Sequence, residues 1–473
     1  MVSAHPIASQ VGIRILQQGG NAFDAAIATQ LALAVVYPNA GNIGGGGMLV
    51  AYTARGKSIC LDYRETAPGA AFKDMYLDTA GNPIPGLSLN GHRAAAVPGT
   101  VAGLFETHRY ARLPFHQLIQ PAIDLAEKGF PLTAAQADSF NRFRSRFLQY
   151  NRNPVAFTAR EHWLPGDTLR QPELAATLKR IRDRGAAGFY QGETADLIEA
   201  EMIAGGGFIR KKDLSAYQAK HRIALSFPYH QYRVYSMPLP SSGGMILGQL
   251  LGMLEGISIG SFGFHSAPAL HYMIEAERRA YADRAEYYGD PDFVSVPVNQ
   301  LLDTHYLRQR MNDVDPQRAG RSDATKAGTI HEHDHTTHIS IIDAAGNAVS
   351  VTTTLNGYYG SLTVVSGAGF LLNNEMDDFS VKPGVPNLFG VTGNEANAIY
   401  PGKRMLSSMT PTIVLEKGKP IIIVGSPGGS TIPTSVFQTL VNLLEFHLPA
   451  RDAVNAPKFH HQWLPDRVDL EVE

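Results

Sequence analysis

Apolar residues recur at helical spacing through the first forty positions of the chain. A stripe from Ile7 to Leu16 predicts a first helix, and a Gly-Gly pair just after it is a stop signal. Asn21 or Asp24 can cap a second helix, which continues to Pro38. A glycine run, GNIGGGG, separates these helices from MLVAY and SICLDY, which both have the short apolar pattern of strands.

The middle of the chain alternates between helical patterns and Gly or Pro breaks. Residues 98–130 predict two helices, RVYSMP predicts a strand, and SSGGMILGQLLGML predicts a helix that begins after serine. The longest predicted helix is APALHYMIEAERRAYADRAEYY, with apolar and aromatic positions along one side. From about residue 305 to residue 335 the periodicity is lost, and this polar stretch is predicted to be an exposed linker.

After the linker the pattern becomes strongly β. TTHISII, DAAGN and AVSVTTTL predict a hairpin, and pairing Ile342 with Ala348 places Thr336 directly opposite Thr354. In that register their Cβ atoms lie ~4.5–5.5 Å apart, with both hydroxyls on one face. A second hairpin, PTIVLEKGKPIIIV, leads into GSPGGS and a helix that begins near Ser430.

Composition narrows the functional classes. The chain has 473 residues, is 44% hydrophobic and 18% charged, and carries a formal net charge of −2, so no basic field indicates nucleic acid. No apolar run reaches the ~18 residues of a membrane span. Its single cysteine, Cys60, excludes an internal disulfide framework, and MVSAHPIASQ lacks the charged and apolar regions of a signal peptide.

Thr336 is the strongest candidate for chemistry. A threonine hydroxyl is a poor nucleophile unless a base lies beside it, and a free N-terminal amine on the same residue can be that base. Such an arrangement requires a cut just before Thr336, and an exposed linker is a favourable place for one. The alternative is that Thr336-Thr337 simply begins a strand with β-branched residues.

Four other motifs were considered for chemistry, and three of them have two interpretations each. HEHDHTTH is dense in histidine, but it lacks helical H-E-x-x-H spacing, which favours polar loop residues over a metal site. GNIGGGG is not a phosphate loop, whereas Gly428 and Gly429 in GSPGGST either form a tight turn or direct backbone N–H groups at an anion. Arg64 in DYRE either makes a surface ion pair or binds a ligand carboxylate.

Acidic residues follow an apolar strand pattern in LLNNEMDDF. Glu375, Asp377 and Asp378 at the end of that strand either receive a ligand ammonium or cap the next turn. A cation with hydroxyls on one side of a site, and carboxylates on the other, is what a zwitterionic amino-acid head requires. From these residues alone, the ligand-binding and the turn-capping interpretations both remain open.

Taken together, the motifs resemble the γ-glutamyltransferase (γ-glutamyltranspeptidase) family of N-terminal-nucleophile hydrolases. The resemblance extends nearly end to end, through GGNAFDAAIATQLALAVVYPNAGNIGGGGML, DYRETAP, AVPGTVAGL, SMPLPSSGG, AYADRAEYYGDPDF, TTHISIIDAAGNAVSVTTTLN, LLNNEMDDFS, KRMLSSMTPTI, GSPGGS and NAPKFHHQWLPD. Many matching blocks in the same order make the resemblance highly specific. The family continues for several tens of residues beyond NAPKFHHQWLPD, and if those residues add central strands, a chain that ends at RVDLEVE leaves one sheet edge unpaired.

The resemblance implies an α+β fold, a four-layer αββα sandwich with two stacked, mostly antiparallel sheets. It implies self-cleavage between His335 and Thr336, giving a large subunit of residues 1–335 and a small subunit of residues 336–473 that share the sandwich. The implied roles are as follows: nucleophile Thr336, its hydroxyl partner Thr354, oxyanion donors Gly428 and Gly429, α-carboxylate ligands Arg64, Ser407 and Ser408, and α-amine ligands Asn356, Glu375 and Asp378. Residues 382–403 match a lid loop, in which Phe389 stands where many bacterial members have tyrosine.

The activity that this resemblance implies is γ-glutamyl transfer from glutathione and similar amides to water or to amino-acid and peptide acceptors. No metal or organic cofactor is implied, and the location is periplasmic or extracellular. Two alternatives remain: a relative that cleaves glutaryl-cephalosporins or poly-γ-glutamate, and an unprocessed precursor that binds γ-glutamyl ligands without turnover. A metal-dependent hydrolase built on the histidine cluster is a third, weaker hypothesis.

Overall fold

The computed structural model describes residues 1–323, 336–388, 390–391 and 393–471. Its α-helices are α1 Pro6–Gln17, α2 Ala22–Val36, α3 Thr100–His108, α4 Phe115–Lys128, α5 Ala134–Tyr150, α6 Pro172–Arg184, α7 Ala187–Tyr190, α8 Gly192–Gly205, α9 Lys211–Ala216, α10 Ser242–Leu254, α11 Ile259–Phe262, α12 Ala267–Tyr287, α13 Val298–Leu301, α14 Thr304–Met311, α15 Ile432–Leu444 and α16 Ala450–Asn455. Short 3₁₀ turns lie at His92–Ala94, Ala156–Thr158, Glu375–Asp378 and Glu395–Asn397.

The strands form two main antiparallel sheets and two small ribbons. They are β1 Gly46–Tyr52, β2 Ser58–Tyr63, β3 Phe130–Pro131, β4 Thr168–Leu169, β5 Lys220–His221, β6 Leu225–Tyr229, β7 Tyr232–Ser236, β8 Thr337–Ile342, β9 Ala348–Thr354, β10 Thr412–Glu416, β11 Lys419–Val424, β12 Phe459–His460 and β13 Asp469–Leu470. The first sheet has the order β5-β2-β1-β9-β8 and the second has the order β11-β10-β7-β6. Each sheet contains strands from both sides of residue 336.

The two sheets face each other and helices cover their outer surfaces. β10 packs against β1 and β9, and β11 packs against β8 and β9, so the two sheets are stacked. α2 and α3 lie on the first sheet, whereas α10 lies on the second, with α12 and α15 packed against it. The predicted four-layer αββα sandwich is confirmed. Among the described residues, no helix combines the length and apolar character needed to cross a bilayer.

Local signals in the sequence account for the first helices. The Asn21 side chain accepts hydrogen bonds from the backbone of Phe23 and Asp24, and the Asp24 carboxylate accepts one from the backbone of Asn21. This reciprocal capping box satisfies N–H groups that a helix leaves open at its start. α2 is buried on every face, which explains why its sequence is apolar all round rather than striped.

The glycine run before β1 permits close packing between backbones. A Cβ on Gly45 would lie 2.2 Å from the carbonyl oxygen of Thr354, and one on Gly46 would lie 2.5 Å from the Glu65 carboxylate. Both distances are far below contact range, so only glycine fits there. The run therefore positions β1 against the end of β9.

The predicted hairpin register is correct. Ile342 pairs with Ala348 and Thr337 pairs with Thr353, which leaves Thr336 across from Thr354 at the open end of the hairpin. The second hairpin also forms, from β10 and β11, and α15 begins at Ile432, two residues after the predicted start.

Two of the predicted elements are wrong in part. The predicted linker begins at about residue 305, but α14 continues to Met311. The helix is stabilised there because Leu307 is buried and the Tyr306 hydroxyl donates to Asp283 on α12. LLNNEMDDF is not a regular strand, since Leu371 makes one isolated bridge before the 3₁₀ turn at Glu375–Asp378. At the other end of the described chain, β13 pairs with β12.

Gly425, at the end of β11, provides a test of how the two sheets pack. A Cβ there would lie 2.2–2.7 Å from ring atoms of His338 on β8. That ring is held by Thr352 at 2.9 Å and by Ser340 at 3.0 Å. We therefore expect Gly425→Ala to lower the free energy of unfolding by about 1–3 kcal/mol through overpacking, measured by urea unfolding.

Gly256→Ala is the matched control for this substitution. Nothing lies within 4 Å of a Cβ at Gly256, and its φ is not positive, so we expect a change within about 0.5 kcal/mol. Equal effects of the two substitutions would contradict the packing argument.

Candidate functional site

A small cavity opens at the end of the hairpin formed by β8 and β9. It is lined by Arg64, Arg284, Thr336, Thr354, Asn356, Asp378, Asn387, Val391, Ser407, Ser408, Met409, Gly429 and Ile432. Eight of these thirteen residues were predicted from the sequence as site residues. None of these lining residues is a histidine, lysine or cysteine, and the one carboxyl group among them, that of Asp378, is bound to Arg64.

The hydroxyl groups of Thr336 and Thr354 meet at this cavity. The Thr336 hydroxyl donates to Thr354 Oγ1 over a long 3.5 Å contact, and Thr354 Oγ1 also accepts the N–H of Asn356 at 2.8 Å. His338, the nearest described histidine along the chain, is engaged elsewhere, and burial lowers its pKa to about 3. It is therefore neutral at physiological pH and does not line the cavity.

The loop between β11 and α15 supplies backbone N–H groups. Gly428 has φ 107°, a conformation that favours glycine, and Gly429 lines the cavity. The Ser430 carbonyl, directly after Gly429, accepts the Tyr281 hydroxyl, and the Ser430 hydroxyl donates to Gln462 at 2.7 Å. These buried hydrogen bonds therefore fix the position of the loop.

Arg64 is not a surface ion pair, because it is 1% exposed. Its guanidinium contacts Glu375 at 2.5 Å, Asp378 at hydrogen-bond distance and Glu65 at 3.7 Å. It also donates to the carbonyl groups of Met405 at 3.4 Å and Leu406 at 2.8 Å. The cation and the carboxylates thus touch, whereas the sequence suggested that they lie on opposite sides of the site.

This cluster shifts the proton affinities of its members. Burial raises the pKa of Glu65 to about 7, although the positive charge of Arg64 opposes the shift. Burial likewise raises the pKa of Glu375 well above its ordinary value and raises that of Asp378, again against Arg64. Burial disfavours the charge on Arg64, but attraction to Glu375 and Asp378 outweighs it and raises the pKa.

Ser407, Ser408 and Asn356 form the remaining polar wall. The Ser407 carbonyl accepts both the N–H of Ser242 at 2.7 Å and its hydroxyl at 2.8 Å, so the start of α10 fixes this segment. Asn356 has φ 74°, a left-handed conformation that asparagine tolerates and that is concentrated at functional sites. Its side-chain amide donates to the Asn374 carbonyl at 3.1 Å.

The segment that matches a lid, residues 382–403, reaches the rim of the cavity. Asn387 and Val391 line it, and the Asn387 amide donates to Asp378 at 2.9 Å. The N–H of Leu388 donates to Asp377 at 2.5 Å. Phe389, noted above for its difference from tyrosine, lies outside the described residues.

The structure brings most of the predicted site residues together. Glu375 and Gly428 do not line the cavity themselves; Glu375 lies behind Arg64, and Gly428 precedes Gly429 in the loop. His335 and the histidines at positions 331 and 333 lie outside the described residues. Within the described ranges, no cluster of three or more histidine, cysteine or acidic side chains has the arrangement of a metal site.

Arg284 is the principal residue that the sequence analysis missed. It lies on α12, is 5% exposed, and lines the cavity beside Arg64. A signal was present, because Glu277, Tyr281 and Arg284 recur at helical spacing on the buried side of α12. Charged residues in a buried stripe indicate function more often than packing.

Comparison with known proteins agrees with this geometry. The family model described as Gamma-glutamyltranspeptidase matches residues 8–473. A glutathione hydrolase proenzyme of Pseudomonas aeruginosa is 50% identical over 97% of this chain and 82% of its own length. The crystal structure of Helicobacter pylori gamma-glutamyltranspeptidase is 43% identical, with a TM-score of 0.67 over 69% of this chain and 94% of that one.

A second solved structure extends the likeness to an acylase. The cephalosporin acylase from Bacillus halodurans is 28% identical, with a TM-score of 0.84 over 97% of this chain and 82% of that one. Both the match to the family model and the identity to its members cover nearly the whole chain. The chain belongs to the gamma-glutamyltranspeptidase family.

Proposed function

We propose that this protein is a γ-glutamyltransferase that acts on glutathione and related γ-glutamyl amides. The observation that best supports the proposal is that Thr336, Gly429, Arg64 and Asp378 all line one cavity. It combines a hydroxyl nucleophile, a backbone N–H donor and the charged groups that an amino-acid head group needs. The glutathione hydrolase relatives support the same substrate class.

We further propose that the chain cleaves itself between His335 and Thr336, giving subunits of residues 1–335 and 336–473. The cut frees an α-amine on Thr336, and that amine can act as the base for the hydroxyl of the same residue. Because both sheets contain strands from both segments, the two subunits remain associated after the cut. Family membership also supports a periplasmic or extracellular location.

The catalytic steps follow from these groups. The Thr336 hydroxyl attacks the γ-amide carbonyl and passes its proton to the α-amine, while Gly428 and Gly429 donate to the developing oxyanion. The protonated amine then gives its proton to the departing amine, which leaves a γ-glutamyl ester on Thr336. Water or an acceptor amine attacks this ester, and Thr336 regains its proton.

The charged groups orient the glutamyl head. We assign Arg64, Ser407 and Ser408 to its α-carboxylate, and Asn356 and Asp378 to its α-ammonium group. Glu375 contributes negative charge from its position against Arg64. Asp378 and Glu375 favour a substrate that carries an ammonium group over glutaryl side chains, which have none. For this reason we favour γ-glutamyl transfer over the cephalosporin acylase activity named for the Bacillus halodurans relative.

Chromophore release from γ-glutamyl-p-nitroanilide tests the proposed function. We expect the wild-type protein to release p-nitroaniline, and a dipeptide acceptor to accelerate release by opening the transfer route. Glutaryl-p-nitroanilide, which lacks the amine, is the matched control and is expected to react at least about tenfold more slowly, the loss of one charged hydrogen bond. Faster release from the glutaryl compound would favour the acylase alternative.

A further inference from the structure

Arg284 is a buried cation that faces the same cavity as Arg64 but is bonded differently. Its Nε donates to the Ser242 hydroxyl at 3.1 Å. Within the described part of the chain, no carboxylate lies within 4 Å of its guanidinium, although the side chain is only 5% exposed. Burial lowers its pKa, with weaker opposition from Tyr281 and Asp378. A desolvated cation without a paired anion is costly, which indicates that a ligand supplies the anion.

The position of Arg284 identifies which part of a ligand it faces. The Ser242 hydroxyl that accepts from Arg284 itself donates to the Ser407 carbonyl at 2.8 Å. Ser242 thus ties Arg284 to the segment that contains Ser407 and Ser408, which the proposed function assigns to the ligand α-carboxylate. Arg284 and these serines line the same cavity.

The guanidinium of Arg64 is already engaged by protein groups. Arg64 is in contact with Glu375, Asp378 and, more distantly, Glu65, so its positive charge is already offset by carboxylates. Its remaining donors reach backbone carbonyl groups. A ligand carboxylate that approaches Arg64 alone therefore meets negative as well as positive charge.

We propose that Arg284 is a second cationic ligand for the α-carboxylate of the bound γ-glutamyl group and sets the selectivity for that carboxylate. The inference rests on the proposed function, because it specifies how the same cavity recognises its substrate. In this arrangement Arg64 links the carboxylates that receive the ammonium group to the carboxylate subsite. Arg284 provides positive charge that no carboxylate of the described residues contacts within 4 Å.

Direct binding measurements test the proposal without requiring turnover. L-glutamate and L-glutamic acid α-amide share the ammonium and γ-carboxyl groups, and differ in whether the α-position is charged. Isothermal titration of the wild-type protein should show tighter binding of L-glutamate. We expect Arg284→Met to weaken L-glutamate binding by about tenfold to a hundredfold, the range for one charge-assisted hydrogen bond, while α-amide binding changes less than about twofold.

Two further variants separate this role from a structural one. Arg284→Lys keeps the charge and is expected to restore part of the preference for L-glutamate even if Arg284→Met is unstable. Arg310→Met removes a cation that pairs with Asp283 at 3.0 Å and does not line the cavity, so the preference should remain unchanged. Circular dichroism of each variant checks that it is folded.

The possible results are distinct. Equal weakening of both ligands by Arg284→Met, no change in either, or a wild-type protein that does not distinguish them would overturn the proposal. Selective binding that depends on Arg284, without release of p-nitroaniline from the γ-glutamyl anilide, would refute the proposed function while supporting the carboxylate subsite. Release of p-nitroaniline from the γ-glutamyl anilide, with unchanged ligand selectivity in Arg284→Met, would support the proposed function and refute the carboxylate subsite.

Discussion

Thr336→Ala is expected to leave the protein as one uncut chain and to reduce γ-glutamyl anilide turnover by at least about 10⁴-fold. The substitution removes the hydroxyl that we assign to both self-cleavage and catalysis, and without the cut no α-amine is freed to act as base. Denaturing gel electrophoresis during prolonged incubation measures the first effect, and p-nitroaniline release measures the second. The wild-type protein should give two bands.

Thr337→Ala is a closely matched control, because it makes the same chemical change one residue away. Thr337 is buried on β8, and its hydroxyl has no hydrogen-bond partner among the described residues. This variant should therefore cut and turn over within about threefold of the wild type, a change worth well under 1 kcal/mol. Thr336→Ser keeps a hydroxyl and an amine and should retain cleavage. Two bands from Thr336→Ala would show that another group performs the cut.

Features that depend on short-range patterns were predictable from the sequence. The capping box at Asn21 uses neighbouring residues, and the register of β8 with β9 follows from the length of one loop. That register alone brought Thr336 opposite Thr354. The family resemblance then added the residues that lie far apart along the chain, most of which do line one cavity.

Features that depend on tertiary packing were not predictable in this way. The motif DYRE alone left Arg64 open between a surface ion pair and a ligand site, because its partner Asp378 lies 314 positions later in the chain. Arg284 is one of several charged residues on a long helix. Its hydrogen-bond partner Ser242 lies on another helix, so the contact could not be inferred from the sequence. The start of the linker was misplaced because α14 is stabilised by packing rather than by its own polar sequence.

Replacement of Arg64 is expected to have the second large effect, on stability as well as on activity. Arg64→Met leaves Glu65, Glu375 and Asp378 without their common cation while they remain largely buried. We expect a loss of about 3–5 kcal/mol in the free energy of unfolding near neutral pH, the range for breaking a buried ion pair. We also expect kcat/KM for the γ-glutamyl anilide to fall at least about tenfold, because a charged ligand contact is lost.

The stability loss should depend on pH in a direction that identifies its cause. Burial already raises the pKa of Glu65 to about 7, and removal of Arg64 raises the pKa values of all three carboxyl groups further. A carboxyl group with a raised pKa in the folded state destabilises progressively as pH rises from its unfolded pKa to its folded one. Urea unfolding should therefore show a smaller loss at pH 5.5 than at pH 8.5.

A second substitution tests whether uncompensated carboxylates are responsible. Adding Glu65→Gln to Arg64→Met removes one buried negative charge with little change in shape, and should recover part of the stability at pH 8.5 but little at pH 5.5. The same Glu65→Gln change in the wild-type background removes the 3.7 Å ion pair with Arg64 and no other ion pair of the described residues. A loss that is independent of pH, or no recovery in the double variant, would mean that Arg64 stabilises the fold through its bonds to the Met405 and Leu406 carbonyl groups instead.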